Sequence, residues 1–175
     1  MTHPGLTDRF GRVHRDLRIS LTDRCSLRCT YCMPADGVPW LQRDSMLSTD
    51  EMVRIARVAV EMGIEEIRLT GGEPLLRADV VDVVDRLAHL DGPHGHPEIS
   101  LTTNGLRLPQ LASALRDAGL ARVNVSLDTL RRDRFHELTR RDKARRDARR
   151  HCRRRGGRSP PDQDQRGGHA RCQRR

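Results

Sequence analysis

Large rings are scarce in this sequence: its 175 residues include two Phe, one Tyr and one Trp. An aromatic-built core is thereby excluded, and any core must be aliphatic. Lysine is nearly absent too, Lys143 being the one lysine among 33 basic residues. No stretch comes near the roughly 18 consecutive apolar residues of a membrane span, and the opening MTHPGLTDRF lacks the apolar centre of a secretion signal. A cytoplasmic protein without membrane partners is expected. In a reducing compartment, five cysteines point to metal ligands or catalysts before disulfides.

Charged residues make up 33% of the chain and the mean hydropathy is -0.71, values that approach the disordered class if spread evenly. They are not spread evenly. Residues 1–142 carry 20 Arg against 21 Asp plus Glu, whereas residues 143–175 carry 13 basic residues against 3 Asp. The sequence pI of about 10.7 therefore belongs to the end segment, and the nearly neutral body is not expected to bind nucleic acid.

Within that body, Leu17–Leu21, Ile67–Thr70, Ile99–Thr102 and Val123–Asp128 alternate apolar with polar residues and read as strands. Three amphipathic helices are expected between them, on Met52, Ile55, Ala59 and Met62, on Val80, Val83, Val84 and Leu87, and on Leu108, Leu111, Leu115 and Ala118. Ser48 and Glu51 have capping-box spacing, and Gly63, Gly92 and Gly119 stand where helices end on a left-handed residue. Strands alternating with helices imply an α/β chain with a parallel sheet and right-handed crossovers. One face of every strand is polar: Arg18 and Ser20, Arg68 and Thr70, Ser100 and Thr102, then Asn124, Ser126 and Asp128. That pattern suggests a partial TIM-like (βα) barrel of about four units with a wet lumen and chemistry at the strands' C-terminal ends; an open sheet with one solvated face is the alternative.

Cys25, Cys29 and Cys32 form C-x3-C-x2-C directly after the first strand. Three adjacent thiolates suit an iron–sulfur cluster, and a cubane held by three of them keeps one iron open. A structural zinc would need a fourth ligand, for which His14 is the nearest upstream candidate. Bland readings accompany the other residues. Gly71-Gly72 can be a strand-exit turn, Tyr31 and Met33 packing, and Trp40 core or cluster cover; Arg18 and Arg68 can pair internally with Asp128 or Glu73; Asp23, Asn104 and Asp128 can be turn or hydrogen-bonding residues.

The cysteine spacing with Tyr31 before its last member, and GGEP at Gly71–Pro74 after the second strand, resemble the radical S-adenosylmethionine (SAM) superfamily. FGRVHRDLRISLTDRCSLRCTYCMP, IRLTGGEPLLR, LTTNG and NVSLDTL are similar to the GTP 3′,8-cyclase (molybdenum cofactor biosynthesis protein A) family, from about Leu6 to Asp142. The resemblance implies a [4Fe–4S] cluster on Cys25, Cys29 and Cys32, and SAM contacts from Tyr31, Gly72 and Ser126. It also implies GTP contacts from Arg18, Arg68 and Thr102. The activity implied is conversion of GTP to (8S)-3′,8-cyclo-7,8-dihydroguanosine 5′-triphosphate in molybdopterin biosynthesis, with an electron donor and, in the intact family, a homodimer. Two inward Arg suit a triphosphate, because a guanidinium binds phosphate through paired N–H groups.

Beyond residue 142 there is no Val, Ile, Leu, Met, Phe, Tyr or Trp, and 21 of 33 residues are Arg, Gly, Pro or Ala. Such a segment cannot join a core. One domain and a tail are expected: an incomplete radical SAM core, 1–142, and a disordered Arg-rich tail, 143–175, read as out-of-frame translation, with a polyanion-binding tail as the competing reading. Cys152 and Cys172 fit no cluster spacing. The resemblance further implies barrel strands, a lumen lysine and a second cysteine triad that this sequence lacks, so a poorly stable fragment is expected that assembles the first cluster without turning over GTP. A radical SAM protein with another substrate, and a basic nucleic-acid-binding protein, are the alternative functions.

Overall fold

A computed structural model describes residues 5–141. The segment 143–175, with Cys152 and Cys172, lies outside the described residues. Four strands, β1 (Asp16–Ser20), β2 (Glu66–Thr70), β3 (Glu98–Thr103) and β4 (Leu120–Val125), form one sheet in the order β1-β2-β3-β4. Every neighbouring pair is parallel. The crossovers carry α1 (Thr49–Glu61), α2 (Val80–Ala88) and α3 (Leu108–Asp117), and α4 (Arg132–Thr139) follows β4. Sequential order with right-handed crossovers places successive helices on one face, the winding of a (βα) barrel and not of a doubly wound sheet.

The core lies between that face and the helices. Ile67, Leu69, Ile99 and Leu101 pack with Leu75, Val83, Val84, Leu87 and Leu115, all buried. No ring is needed, because β-branched and Leu side chains fill the layer. The α1 capping box forms as its spacing predicts: Ser48 N donates to Glu51 Oε2 at 2.8 Å and Glu51 N donates to Ser48 Oγ at 3.3 Å.

Three expectations are corrected. The buried face of α1 is Met52, Val53, Ala56 and Val60, while Ile55 and Met62 are exposed. Two apolar stripes share Met52, and the fully buried Ala56 marks the one that meets the core. Gly92 does not adopt left-handed backbone; a Cβ there would come within 2.5 Å of Val60 Cγ1, so its smallness admits α1.

The last strand runs Leu120–Val125, not Val123–Asp128. Its register against β3 steps from Ile99↔Leu120 to Ser100↔Arg122, passing over Ala121. Side chains alternate between faces, so that irregularity restores parity and sends Arg122 to the polar face instead of the core face. The outer face of β4 is poorly covered, leaving Val123 and Val125 exposed. After β4 the chain turns to α4, whose final carbonyls meet the cysteine loop: Arg28 N donates to Thr139 O at 2.9 Å and Thr30 N to Leu138 O at 2.8 Å.

Candidate functional site

Because the strands are parallel, all four exit loops gather at one end of the sheet. Backbone pairing continues past the strand ends, with Leu21 N donating to Thr70 O at 2.9 Å, Gly72 N to Thr22 O at 2.7 Å and Glu73 N to Arg24 O at 2.7 Å. At φ 135°, Gly71 adopts a conformation that disfavours any side chain. A Cβ on it would lie 2.4 Å from Thr22 O, and one on Gly72 would lie 2.4 Å from Asp23 O. The absent side chains let GGEP press against the chain's own cysteine-bearing loop, a tighter constraint than a simple strand-exit turn.

Glu73 is buried at 1% exposure. Its Oε1 accepts from Thr103 Oγ1 at 2.6 Å and Leu75 N at 3.0 Å, and its Oε2 accepts from Asn104 N at 2.8 Å. A carboxylate with three donors is well compensated for burial, and it locks the β2 exit to the β3 exit. Asn104 carries the connection onward: Oδ1 accepts from Leu106 N at 3.0 Å, and Nδ2 donates to Ser26 Oγ at 3.1 Å while lying 4.0 Å from Cys25 Sγ. Sequence reasoning placed Asn104 among turn or hydrogen-bonding residues and gave Glu73 a different partner. The signal for this link was the adjacency of Glu73 to the Gly pair and of Asn104 to Thr103.

Cys25 and Cys29 are half-buried and Cys32 is exposed. Leu27 N points to Cys25 Sγ at 3.4 Å, and Met33 N donates to Cys29 O at 2.9 Å, a helical turn that carries Cys29 and Cys32. Burial pushes the Cys29 thiol up, partly opposed by the neighbouring Tyr31 hydroxyl. Arg28 Nη1 binds the carbonyls of Cys25 and Leu27 at 2.8 and 2.9 Å, with its guanidinium carbon 5.1 Å from the Trp40 ring centre. The exposed Tyr31 reaches across to β4's exit, where its hydroxyl donates to Asp128 Oδ2 at 2.6 Å; that bond, then burial, raises its phenol well above the usual range. Ser126 is exposed, and its N donates to Thr103 O at 2.8 Å. Asp23 Oδ2 accepts from Leu41 N at 2.6 Å, whereas its Oδ1 is buried without a partner among the described residues.

On the polar face, Arg18 stands in register with Arg68, and Arg68 with Ser100. Arg68 binds Asp16 at 2.9 Å and Glu66 at 3.2 Å, not Asp128 or Glu73. These two carboxylates, Asp16 first, raise its proton affinity further. Arg122 pairs with Glu66 at 2.5 Å and with Glu98. Arg18 has no ion pair and no side-chain hydrogen bond among the described residues. It is exposed, and Thr102 is half-buried on the same face. The row thus holds one committed and one uncommitted guanidinium side by side, an arrangement that favours an anion.

A sequence profile described as Radical SAM superfamily matches residues 19–158. The chain belongs to this superfamily. It is 58% identical over 139 residues to the GTP 3′,8-cyclase of Streptomyces coelicolor, a match covering 79% of this chain and 40% of that protein. With the GTP 3′,8-cyclase of Corynebacterium glutamicum it shares 54% over 140 residues, 79% of this chain and 37% of the relative. Molybdenum cofactor biosynthesis protein 1 of Drosophila melanogaster is 54% identical over 136 residues, covering 78% and 24%. The chain spans at most about two fifths of the length of these relatives. Among solved structures, Streptococcus suis SuiB bound to S-adenosylmethionine superposes with a TM-score of 0.55 at 22% identity, over 75% of this chain and 27% of that one. The [FeFe]-hydrogenase maturase HydG superposes at 0.57 with 14% identity, over 74% and 29%. These two likenesses support the fold, a partial barrel of the radical SAM type.

The donor set of this radical SAM chain fits the superfamily's cluster. Among the described residues no three His, Cys, Asp or Glu converge as a site for one metal ion. Thiols that serve separate corners of a multi-iron cluster need not converge on one point, whereas a mononuclear zinc site requires it. All three cysteines sit on one loop at the strand ends, where the Gly71-Gly72 cradle, Glu73 and Asn104 brace it.

Proposed function

We propose that this chain is the SAM- and cluster-binding portion of a GTP 3′,8-cyclase. Its core is residues 1–142, and it contributes to the conversion of GTP to (8S)-3′,8-cyclo-7,8-dihydroguanosine 5′-triphosphate in molybdopterin biosynthesis. The observation that carries this reading is the convergence at one sheet end of the cysteine loop, GGEP and TTNG in a chain 58% identical to a GTP 3′,8-cyclase over 139 residues. Cys25, Cys29 and Cys32 hold a [4Fe–4S] cluster that, with SAM, supplies hydrogen-abstracting radical chemistry. Tyr31, Gly72 and Ser126 lie on three different exit loops and contact SAM. Arg18 and Thr102 face the polar side of the sheet and bind GTP; Arg18 is available to a phosphate because no carboxylate among the described residues holds it. Arg68 joins them by exchanging Asp16 or Glu66 for the triphosphate. The protein acts in the cytoplasm with an external electron donor, and its complete form dimerises.

Anaerobic supply of iron and sulfide tests the cluster, which must turn the chain brown; a colourless protein overturns the reading. GTP titration by calorimetry tests the substrate: Arg18→Ala is expected to weaken binding at least tenfold without loss of thermal stability. The engagement of Arg68 by Asp16 and Glu66 favours a second reading, the same cofactor chemistry on a different substrate. A brown chain whose GTP affinity is indifferent to both Arg18→Ala and Arg68→Ala selects it.

A further inference from the structure

The carboxamide of Asn104 has only one orientation compatible with its surroundings. Leu106 N is a donor and lies 3.0 Å from Oδ1, so that atom must be the acceptor oxygen, which leaves the NH2 group facing the cysteine loop. The backbone is held as firmly, since Asn104 N donates to Glu73 Oε2 at 2.8 Å and Glu73 itself is buried. Of the two N–H groups on Nδ2, one serves Ser26 Oγ at 3.1 Å and the other is directed toward Cys25 Sγ, 4.0 Å away. Sulfur is larger and more diffuse than oxygen, so N–H···S contacts are longer. Leu27 N approaches the same sulfur at 3.4 Å. Cys25 Sγ is thus the described cysteine sulfur with two N–H donors aimed at it from different loops.

We propose that Asn104 is a positioning residue for the first cluster thiolate: its NH2 group orients Cys25 Sγ and withdraws charge from it, raising the reduction potential of the bound cluster. The inference rests on the assignment of Cys25, Cys29 and Cys32 as cluster ligands. Its physical basis is that a partial positive charge beside a ligating sulfur favours the more negative, reduced cluster. The device is separate from catalysis, because Asn104 acts only through the sulfur. It also ties the cluster to the buried Glu73, so that the β2 and β3 exits jointly set the environment of one iron corner.

The test is an anaerobic redox titration of the reconstituted full chain, followed by the electron spin resonance signal of the reduced cluster. Asn104→Ser keeps a hydroxyl able to accept from Leu106 N, stays neutral and is too short to reach Cys25 Sγ. Asn104→Asp keeps the acceptor oxygen and substitutes a negative charge for the donor. Both variants are expected to bind iron in wild-type stoichiometry and to titrate at more negative potentials than the wild type, Asp more so than Ser. Should the Ser variant fail to fold, the Asp variant, which retains the turn, carries the test. Potentials equal to that of the wild type overturn the inference while leaving the cluster assignment intact. A wild-type chain that takes up no cluster overturns the assignment itself.

Discussion

Replacing Glu73 by Gln should destabilise the chain far more than an isosteric change suggests. Glu73 is 1% exposed, and its two oxygens accept from Thr103 Oγ1, Leu75 N and Asn104 N at 2.6, 3.0 and 2.8 Å. All three partners are donors. A Gln can satisfy the two that meet Oε1, but its NH2 group would then confront Asn104 N, donor against donor. One charge-assisted hydrogen bond is lost and a part-buried N–H is orphaned, together worth about 2–3 kcal/mol. For a chain of this size the melting temperature falls by about 3–5 °C per kcal/mol, so a drop on the order of 10 °C is expected. Glu73→Ala orphans all three donors and costs several kcal/mol, a large fraction of the roughly 5–15 kcal/mol that holds a domain together. Urea unfolding monitored by circular dichroism, with scanning calorimetry beside it, measures both. A Gln variant within about 0.5 kcal/mol of the wild type, the range of an ordinary surface change, would refute the claim that this carboxylate joins the loops.

Gly72→Ala places a methyl about 2.4 Å from Asp23 O and should abolish iron uptake or solubility, read as iron per chain after reconstitution. Tyr31 is the sole tyrosine, so phenolate absorbance reports it alone. Its midpoint should lie above the ordinary value of about 10 and return toward it in Asp128→Asn. Because the folded value is raised, the stabilisation is complete below the unfolded phenol's range and is lost as pH rises through the folded one. Burial pushes the Asp79 carboxyl up, yet the Arg77 guanidinium and the Thr49 hydroxyl pull it below its usual value. That stability is present above the unfolded carboxyl's range and disappears as pH falls through the folded one; Arg77→Met should therefore move the acid-unfolding midpoint to higher pH, followed by circular dichroism.

What the sequence made legible follows from which forces act locally. The β-α alternation and the α2 and α3 stripes depend on periodicity within a single segment, and they appear as expected, as does the Ser48–Glu51 capping box. The α1 face was ambiguous because two stripes share Met52, and the choice between them is made by the sheet. The step past Ala121 was likewise invisible, because it depends on pairing with β3. At the site, the cysteine spacing and the polar strand faces mark where chemistry gathers, but the bonds that join one exit loop to another link residues 30 to 78 positions apart, as in Glu73 with Thr103 and Asn104 with Ser26. Arg68 shows why this matters. Alternation correctly aims it at the polar face, yet only the parallel register brings Asp16 beside Glu66 to hold it. The same register leaves Arg18, one strand away on the same row, without a carboxylate partner among the described residues. The difference between a scaffold arginine and one available to an anion therefore arises from strand pairing and not from residue type, so paired substitutions at positions 16 and 18 should separate stability from ligand affinity: Asp16→Asn should loosen Arg68 and raise affinity for a triphosphate, whereas Arg18→Ala should lower that affinity and leave unfolding unchanged. If calorimetric titration with GTP finds both changes acting in the same direction, the division of labour along this row is wrong.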